Sequence, residues 1–483
     1  MKRLSLLLCT LLLAGTAVAC AEDTVNPSPE TQVTTADLSV ETEFDPFAAL
    51  PEMDYEGYDF HLLIRPVERW IKDMIVEDLE GDIVDDAVYE RNSRVSEEFN
   101  ITFSYKPSSN ANRETDAITS ILADEDAYDL VMAHGRAAFD YANQKYLLDW
   151  NKSLPYINLD APWWDQDARK SLSINNKLFV MTGDISYCTM GAANLMLFNK
   201  VLFEDYNLEF PYQMVQDGKW TYETWETIAR TGAVDLNGDN RYTEKEDQFG
   251  YVTIKWVGPM QAFATSGLRV LEKDPDDLPY LALNSEKTVF VFNRFFDMLD
   301  SDASYVATAG VSYEGSFIQI FNEGRALFID MNMQDVITLR GMDADFGIIP
   351  WPKYDENADY CTNVDGGTSM CVVPLTATDP DRTSVIMEAL AAIGYDKVIP
   401  AYFEVALQGK ASRDNESAEM LNIIKTARIY DLGYFNAAAT GVYSNHFVNF
   451  IDDKSLGRNF SSWYESRLKG ITRTLDNVVD AYL

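Results

Sequence analysis

The sequence predicts an α/β protein of two lobes, on three observations. Strand-like and helix-like segments alternate from Tyr58 onward. The 483 residues are 47% hydrophobic and 12% aromatic, enough for two sizeable cores. Beyond residue 19, no apolar stretch approaches the length needed to cross a bilayer.

The first element is an export signal. Lys2 and Arg3 give a positive start, Leu4 to Leu13 an apolar run too short to span a membrane, and Ala14 to Ala19 a small-residue exit. Because that exit leads straight into Cys20, the segment resembles a lipoprotein signal, in which Cys20 becomes the lipidated first residue of the mature chain. Ala17 stands where such signals usually carry Leu, and Ala17-Val18-Ala19 also suits ordinary signal peptidase. Lipidation at Cys20 is the preferred reading; secretion of a free chain is the alternative. Residues 1–19 are thus the signal peptide and 20–53 the lipidated cysteine with an acidic tether. From Ala21 to Met53 the chain is rich in Thr, Pro, Ser and acid with no apolar period, a disordered composition whose coil span is roughly 30 Å.

Loss of Lys2 and Arg3 with the signal moves the formal charge from -38 to -38 - 2 = -40. So negative a chain repels phosphate backbones and anionic headgroups, which excludes nucleic acid as a partner and leaves Cys20 as the route to a membrane. After export Cys188, Cys361 and Cys371 remain beside Cys20, no disulfide framework. Cys361 and Cys371 flank Asp365-Gly366-Gly367, so a bridge across a hairpin and two buried thiols are both open, the thiols preferred. His61, His134 and His446 are far apart, and no transition-metal spacing occurs.

In the body, Tyr58 to Ile64 reads as a strand, Ile83 to Phe99 as a helix, Ile101 to Tyr105 as a strand, Ile118 to Leu122 as part of a helix and Leu130 to Ala133 as a strand. In open sheets of this kind ligands are met beyond the carboxyl ends of strands, which places His134-Gly135-Arg136 at a ligand edge. Further strands are predicted at Lys177 to Met181, Ala193 to Phe198, Ala326 to Ile329, Phe346 to Ile349 and Met370 to Val373, with a mostly helical last third from about Asp379.

The sharpest motif runs from Asp235 through Asn237, Asp239 and Arg241 to Glu246. Side-chain oxygens at positions 1, 3 and 5, a carbonyl at 7 and a glutamate at 12 match an EF-hand calcium loop, whose ion needs six to eight hard oxygens at roughly 2.4 Å. Position 6 is Asn240, which enters the left-handed region more readily than most residues. Past Glu246 the chain continues as Gln248-Phe249-Gly250-Tyr251, which looks like a strand entry and not a sensor helix. The motif therefore reads as a structural Ca2+ clamp, against a solvated acidic turn as the plain alternative.

Aromatics with polar neighbours recur in loop-like stretches, at Pro162-Trp163-Trp164-Asp165, Lys255-Trp256-Val257-Gly258, Pro350-Trp351-Pro352 and Gly433-Tyr434-Phe435-Asn436. A flat ring covers the apolar face of a sugar while polar neighbours take its hydroxyls, although each ring alone is as well explained by packing. Asp165 beside it marks Trp164 as the cleft candidate of its pair.

Seven motifs in order carry a family resemblance. They are Asp126-Ala127-Tyr128-Asp129-Leu130 running on to His134-Gly135-Arg136; Tyr146-Leu147-Leu148-Asp149; Asn176-Lys177-Leu178-Phe179 with Thr182-Gly183-Asp184; Leu197-Phe198-Asn199-Lys200; Lys219-Trp220-Thr221 with Trp225; Asn322-Glu323-Gly324-Arg325-Ala326-Leu327-Phe328; and Phe346-Gly347-Ile348-Ile349-Pro350. In these the chain resembles extracellular solute-binding proteins of ABC importers, the family of maltose-binding protein. The resemblance implies a two-lobed periplasmic-binding-protein-like fold (type II), its lobes joined by crossover strands. Lobe one would be 54–184 plus 366–420 and lobe two 185–365 plus 421–483. It also implies a non-enzymatic monomer that takes a mono- or oligosaccharide between the lobes and delivers it to permease subunits. Ligand contacts would come from His134 and Arg136 after a lobe-one strand, Asp184 and Tyr187 at the first crossover, Trp256 in a lobe-two loop, Asp330 and Asn332 after the strand ending at Ile329, and Tyr434 in the late helical region. Each has a rival role in packing, capping or pairing. At the level of the whole chain the rivals are a secreted glycoside hydrolase, which needs two carboxylates across the scissile bond, and a carbohydrate-adhesion module.

Overall fold

Strand β1 (Tyr58–Ile64) starts the first sheet and buries its last three residues. A short helix α1 (Glu68–Met74) follows, then α2 (Ile83–Phe99), which starts where Asp82 accepts the N–H groups of Val84 and Asp85 and stops where Asn100 turns left-handed at φ 49°. Strand β2 (Ile101–Pro107), helix α3 (Thr115–Leu122), strand β3 (Leu130–His134) and helix α4 (Gly135–Asn143) complete this βαβα run. The computed structural model describes residues 44–308, 316–339, 341–407, 415–437, 450–451 and 454–483. The expected export signal, Cys20, the tether up to residue 43 and His446 lie outside the described residues.

The first sheet has the order β12-β3-β1-β2, where β12 is Ser369–Val372. β1 runs parallel to both neighbours, and β12 is antiparallel to β3, with Ser369 opposite His134. The second sheet is built from β4 (Asn194–Asn199), β5 (Phe249–Ile254), β8 (Ser304–Ala307), β9 (Ala326–Asn332) and β10 (Phe346–Ile349). Their order is β10-β4-β9-β5-β8. Every residue of β4, β5 and β9 is buried, the signature of strands covered on both faces. Two small pairs complete the sheets, β6 (Leu271–Lys273) with β7 (Pro279–Leu281) and β11 (Thr362–Asn363) with β13 (Arg428–Ile429).

Three stretches of chain pass side by side between the two sheets. Ala193 bridges Val364, β11 runs parallel to β13, and the N–H of Asp365 reaches the carbonyl of Ala192 at 2.9 Å. This is the two-sheet α/β architecture with crossover strands that the sequence predicts.

One local expectation is corrected. Lys177–Met181 is not a strand. Asn175 and Asn176 turn left-handed just before it, Leu178 donates to Asp149 and accepts from Trp150, and only Met181 bridges β12 through Cys371. The backbone there is held by a loop instead of a ladder. No bridge joins Cys361 and Cys371, because β11 pairs with β13 and does not fold back on β12. Cys371 Sγ lies 3.7 Å from Met132 Sδ, and Cys361 Sγ lies 3.8 Å from the Asp359 carbonyl.

Candidate functional site

Residues directly beyond the carboxyl ends of strands in both sheets meet at one cavity of about 440 Å3, a volume within the range of small-molecule sites. Arg65 follows β1, His134 ends β3 and Arg136 follows it, Trp256 follows β5, and Asn332 with Gln334 and Asp335 ends or follows β9. The crossing segments add Ala192, Asp365, Gly367 and Thr368, and Arg69, Trp70, Asn112 and Cys188 complete the wall. The topology therefore converges on a cleft where the strand-end rule for open sheets places ligands.

Arg65 is pinned in place. It is 1% exposed, Nε donates to the carbonyl of Ala111 at 2.6 Å, Nη1 donates to that of Gly367, and the guanidinium lies 3.2 Å over the Trp70 ring. Burial pulls its pKa down to about 10, so it keeps its charge at neutral pH. His134 caps α4, with Nδ1 accepting the N–H of Arg136 at 3.3 Å. Burial, then Arg65 and Arg136, push the ring's pKa down to about 3, so His134 is neutral and carries its proton on Nε2. The buried carboxylate of Glu114 accepts the N–H of His134 at 3.1 Å and the hydroxyl of Tyr141 at 3.0 Å, holding the strand end from behind. Across the cavity, Arg69 Nη1 lies 3.5 Å from Asp335 Oδ1, an ion pair between the loops of the two sheets. Burial raises the Asp335 carboxyl to about 6 against the pull of Arg69.

Of the nine residues that the sequence marks as ligand contacts, His134, Arg136, Trp256 and Asn332 share this wall. Tyr434 stands one layer behind it, 1% exposed, with its hydroxyl accepting the N–H of Gly366 at 2.9 Å and lying 3.4 Å from Asp365. The other four are elsewhere. Trp164 is 1% exposed core, edge-on to Trp150 and donating to Glu388 at 2.8 Å; its neighbour Asp165 is no sign of exposure, because it caps the helix Gln166–Leu172 and pairs with Arg428. Asp184 is turned toward Arg428 and Lys425, with burial raising its carboxyl to about 6. Tyr187 stacks on Tyr402 with centroids 5.1 Å apart, off the cavity wall. Asp330 lies inside β9 and not after it, fully buried, accepting the Tyr251 hydroxyl at 2.9 Å. Arg65, Arg69, Trp70 and Asp335 are additions. Arg65 carries the same signal as His134, a polar residue at the end of a predicted parallel strand.

Apart from the cleft, the Asp235–Glu246 loop is closed at its base by the Val234–Gln248 bridge and by Asp247, which accepts the N–H groups of Leu236 and Thr243. Within it Asp235 accepts the N–H groups of Gly238 at 2.6 Å and Asn240 at 2.7 Å, and Asn240 is left-handed at φ 58°. Asn237 and Glu246, positions 3 and 12, meet at 2.9 Å. Among the described residues no three His, Cys, Asp or Glu side chains gather as a metal site, so the turn is formed while its three carboxylates are not drawn onto one centre.

Two sheets, three adjacent crossings and a cleft at the strand ends define the two-lobed solute-binding fold, and comparison with solved structures agrees. The chain superimposes on a cyclo/maltodextrin-binding protein complexed with maltotetraose with a TM-score of 0.57 at 13% identity, over 88% of this chain and 96% of that one. An ABC transporter solute-binding protein from Thermotoga lettingae bound with α-D-tagatose gives 0.53 at 12% identity, over 88% and 100%. An ABC substrate-binding protein from Listeria monocytogenes in complex with cycloalternan gives 0.52 at 12% identity, over 88% and 98%. At such identities the likeness is one of fold. No protein-family model and no curated protein sequence matches the chain.

Proposed function

We propose that this chain is an extracellular substrate-binding lipoprotein of an ABC importer. It captures a saccharide between its two sheets, hands it to permease subunits and performs no chemistry on it. The observation that carries the reading is the cleft itself. Two indoles, Trp70 and Trp256, line it among Arg, Asn, Gln and Asp side chains contributed by both sheets, a mixed aromatic and polar lining that suits rings with hydroxyl edges. The sugar-bound proteins that share the fold support it. Ligand acts by binding one arrangement of the two halves better than another. No helix among the described residues is long and apolar enough to cross a membrane, and we assign attachment to a lipid on Cys20, with the acidic tether raising local concentration at the importer. For the Asp235–Glu246 loop we propose calcium, which would be held by Asp235, Asn237, Asp239, the Arg241 carbonyl and Glu246 and would tie down the turn ahead of β5. The receptor reading is tested by calorimetry of the exported chain against mono- and oligosaccharides with product analysis of the same mixtures. Saturable binding without turnover is expected; hydrolysis of any saccharide by the protein alone overturns it.

A further inference from the structure

Resting on the receptor reading, we infer that the saccharide is acidic and presents a carboxylate to Arg65 and Arg136. The argument is a donor and acceptor inventory. Arg65, Arg69, Arg136 and Asn112 bring donors to one cavity, in a chain whose formal charge is -38. The two carboxylates on the same wall are already engaged. Asp335 is taken by Arg69 and by the Asn332 amide; Asp365 accepts the N–H of Gly367 at 2.7 Å and lies 3.4 Å from the Tyr434 hydroxyl. Arg65 forms no ion pair with any described carboxylate, and its Nη2 makes no hydrogen bond to a described residue. Its fixed guanidinium, stacked on Trp70, is thus a preorganised donor on which the Glu114 and Asp365 carboxylates act electrostatically without a hydrogen bond to it. His134 adds a neutral Nε2–H donor in place of an acceptor. A neutral sugar offers the Arg65 guanidinium only hydroxyls, whereas the carboxylate of a uronic acid supplies acceptor-only oxygens in the planar form that guanidinium recognises.

Calorimetry of the exported chain with galacturonate, glucuronate, mannuronate and guluronate oligosaccharides, each beside its methyl ester and a neutral oligosaccharide of equal length, tests this. At least one uronate is expected to bind, with its methyl ester, the same rings without the charge, at least about tenfold weaker, as loss of a charged hydrogen bond implies. Arg136→Gln, checked for an unchanged melting temperature, is expected to shrink that ratio toward one. Esters or neutral saccharides binding as tightly as every uronate overturn the acidic ligand and leave the receptor reading standing. Binding of no saccharide of either kind overturns both.

Discussion

Asp330 gives the sharpest prediction of stability. Its carboxyl is fully buried in β9, only Tyr251 and Thr253 serve it through side chains, Oδ1 has no hydrogen-bond partner among the described residues, and no described cation offsets its charge. Burial therefore raises its pKa to about 7 from the ordinary 3.8. The folded chain holds this proton more tightly than the unfolded chain. Its contribution to stability is thus full below pH 3.8 and is lost as pH rises through about 7. Asp330→Asn keeps an acceptor for the Tyr251 hydroxyl and removes the titration. Relative to that variant, the wild type should lose about 1.4 kcal/mol per pH unit between pH 5 and 7, about 3 kcal/mol in all. Urea unfolding followed by tryptophan fluorescence reads this directly, because comparing two chains of nearly equal charge cancels the general repulsion of so acidic a protein. Stability curves that run parallel from pH 5 to pH 8 would refute the argument.

Three further outcomes are expected. Asp73→Ala should destabilise the fold by about 3–5 kcal/mol in urea, since it uncovers the buried Arg91 and orphans the Ser186 hydroxyl and the N–H of Tyr187; a loss below about 1 kcal/mol contradicts this. Trp256→Ala should weaken saccharide binding about tenfold or more by calorimetry with the melting temperature nearly unchanged, and equal affinity removes Trp256 from the site. Calcium at millimolar concentration should raise the melting temperature by a few degrees, and Glu246→Gln should abolish the shift; a chain indifferent to calcium leaves the loop a hydrogen-bonded turn.

How far the sequence can be read depends on the distance over which the relevant forces act. β1, α2 and β10 have the bounds their apolar patterns predict, because burial of a short run and a cap such as Asp82 are local facts. In sequence β9 reads as ending at Ile329, because Asp330 and Asn332 look like a polar exit. The strand continues because β4 pairs with it as far as Asn332 and Tyr251, on the neighbouring β5, supplies a hydroxyl to Asp330 inside the sheet. Trp164 and Asp165 mislead for the same reason, since the partners that bury them, Glu388 and Arg428, lie more than 200 residues away. The cleft is half legible. The strand-end rule reaches His134 and Arg136, the family resemblance adds Trp256, and Arg65, directly after the predicted strand Tyr58 to Ile64, carries the same signal that marks His134.

The same residues show how the cleft can change shape without the halves coming apart. Near the crossings, contacts are buried and multiple. Asp73 accepts the Ser186 hydroxyl at 2.6 Å and the N–H of Tyr187 at 2.8 Å, while Arg91 donates to the Ile185 carbonyl at 2.8 Å. Breaking such a network costs several kcal/mol, so this side acts as a fixed edge. Along the cavity wall, the Arg69–Asp335 pair between the sheets is half exposed on its arginine side and largely buried on its aspartate side, 46% and 14%, so water screens it only in part. Multiple buried contacts at the crossings and a partly solvated ion pair across the cleft favour rotation about the crossing strands over separation of the sheets.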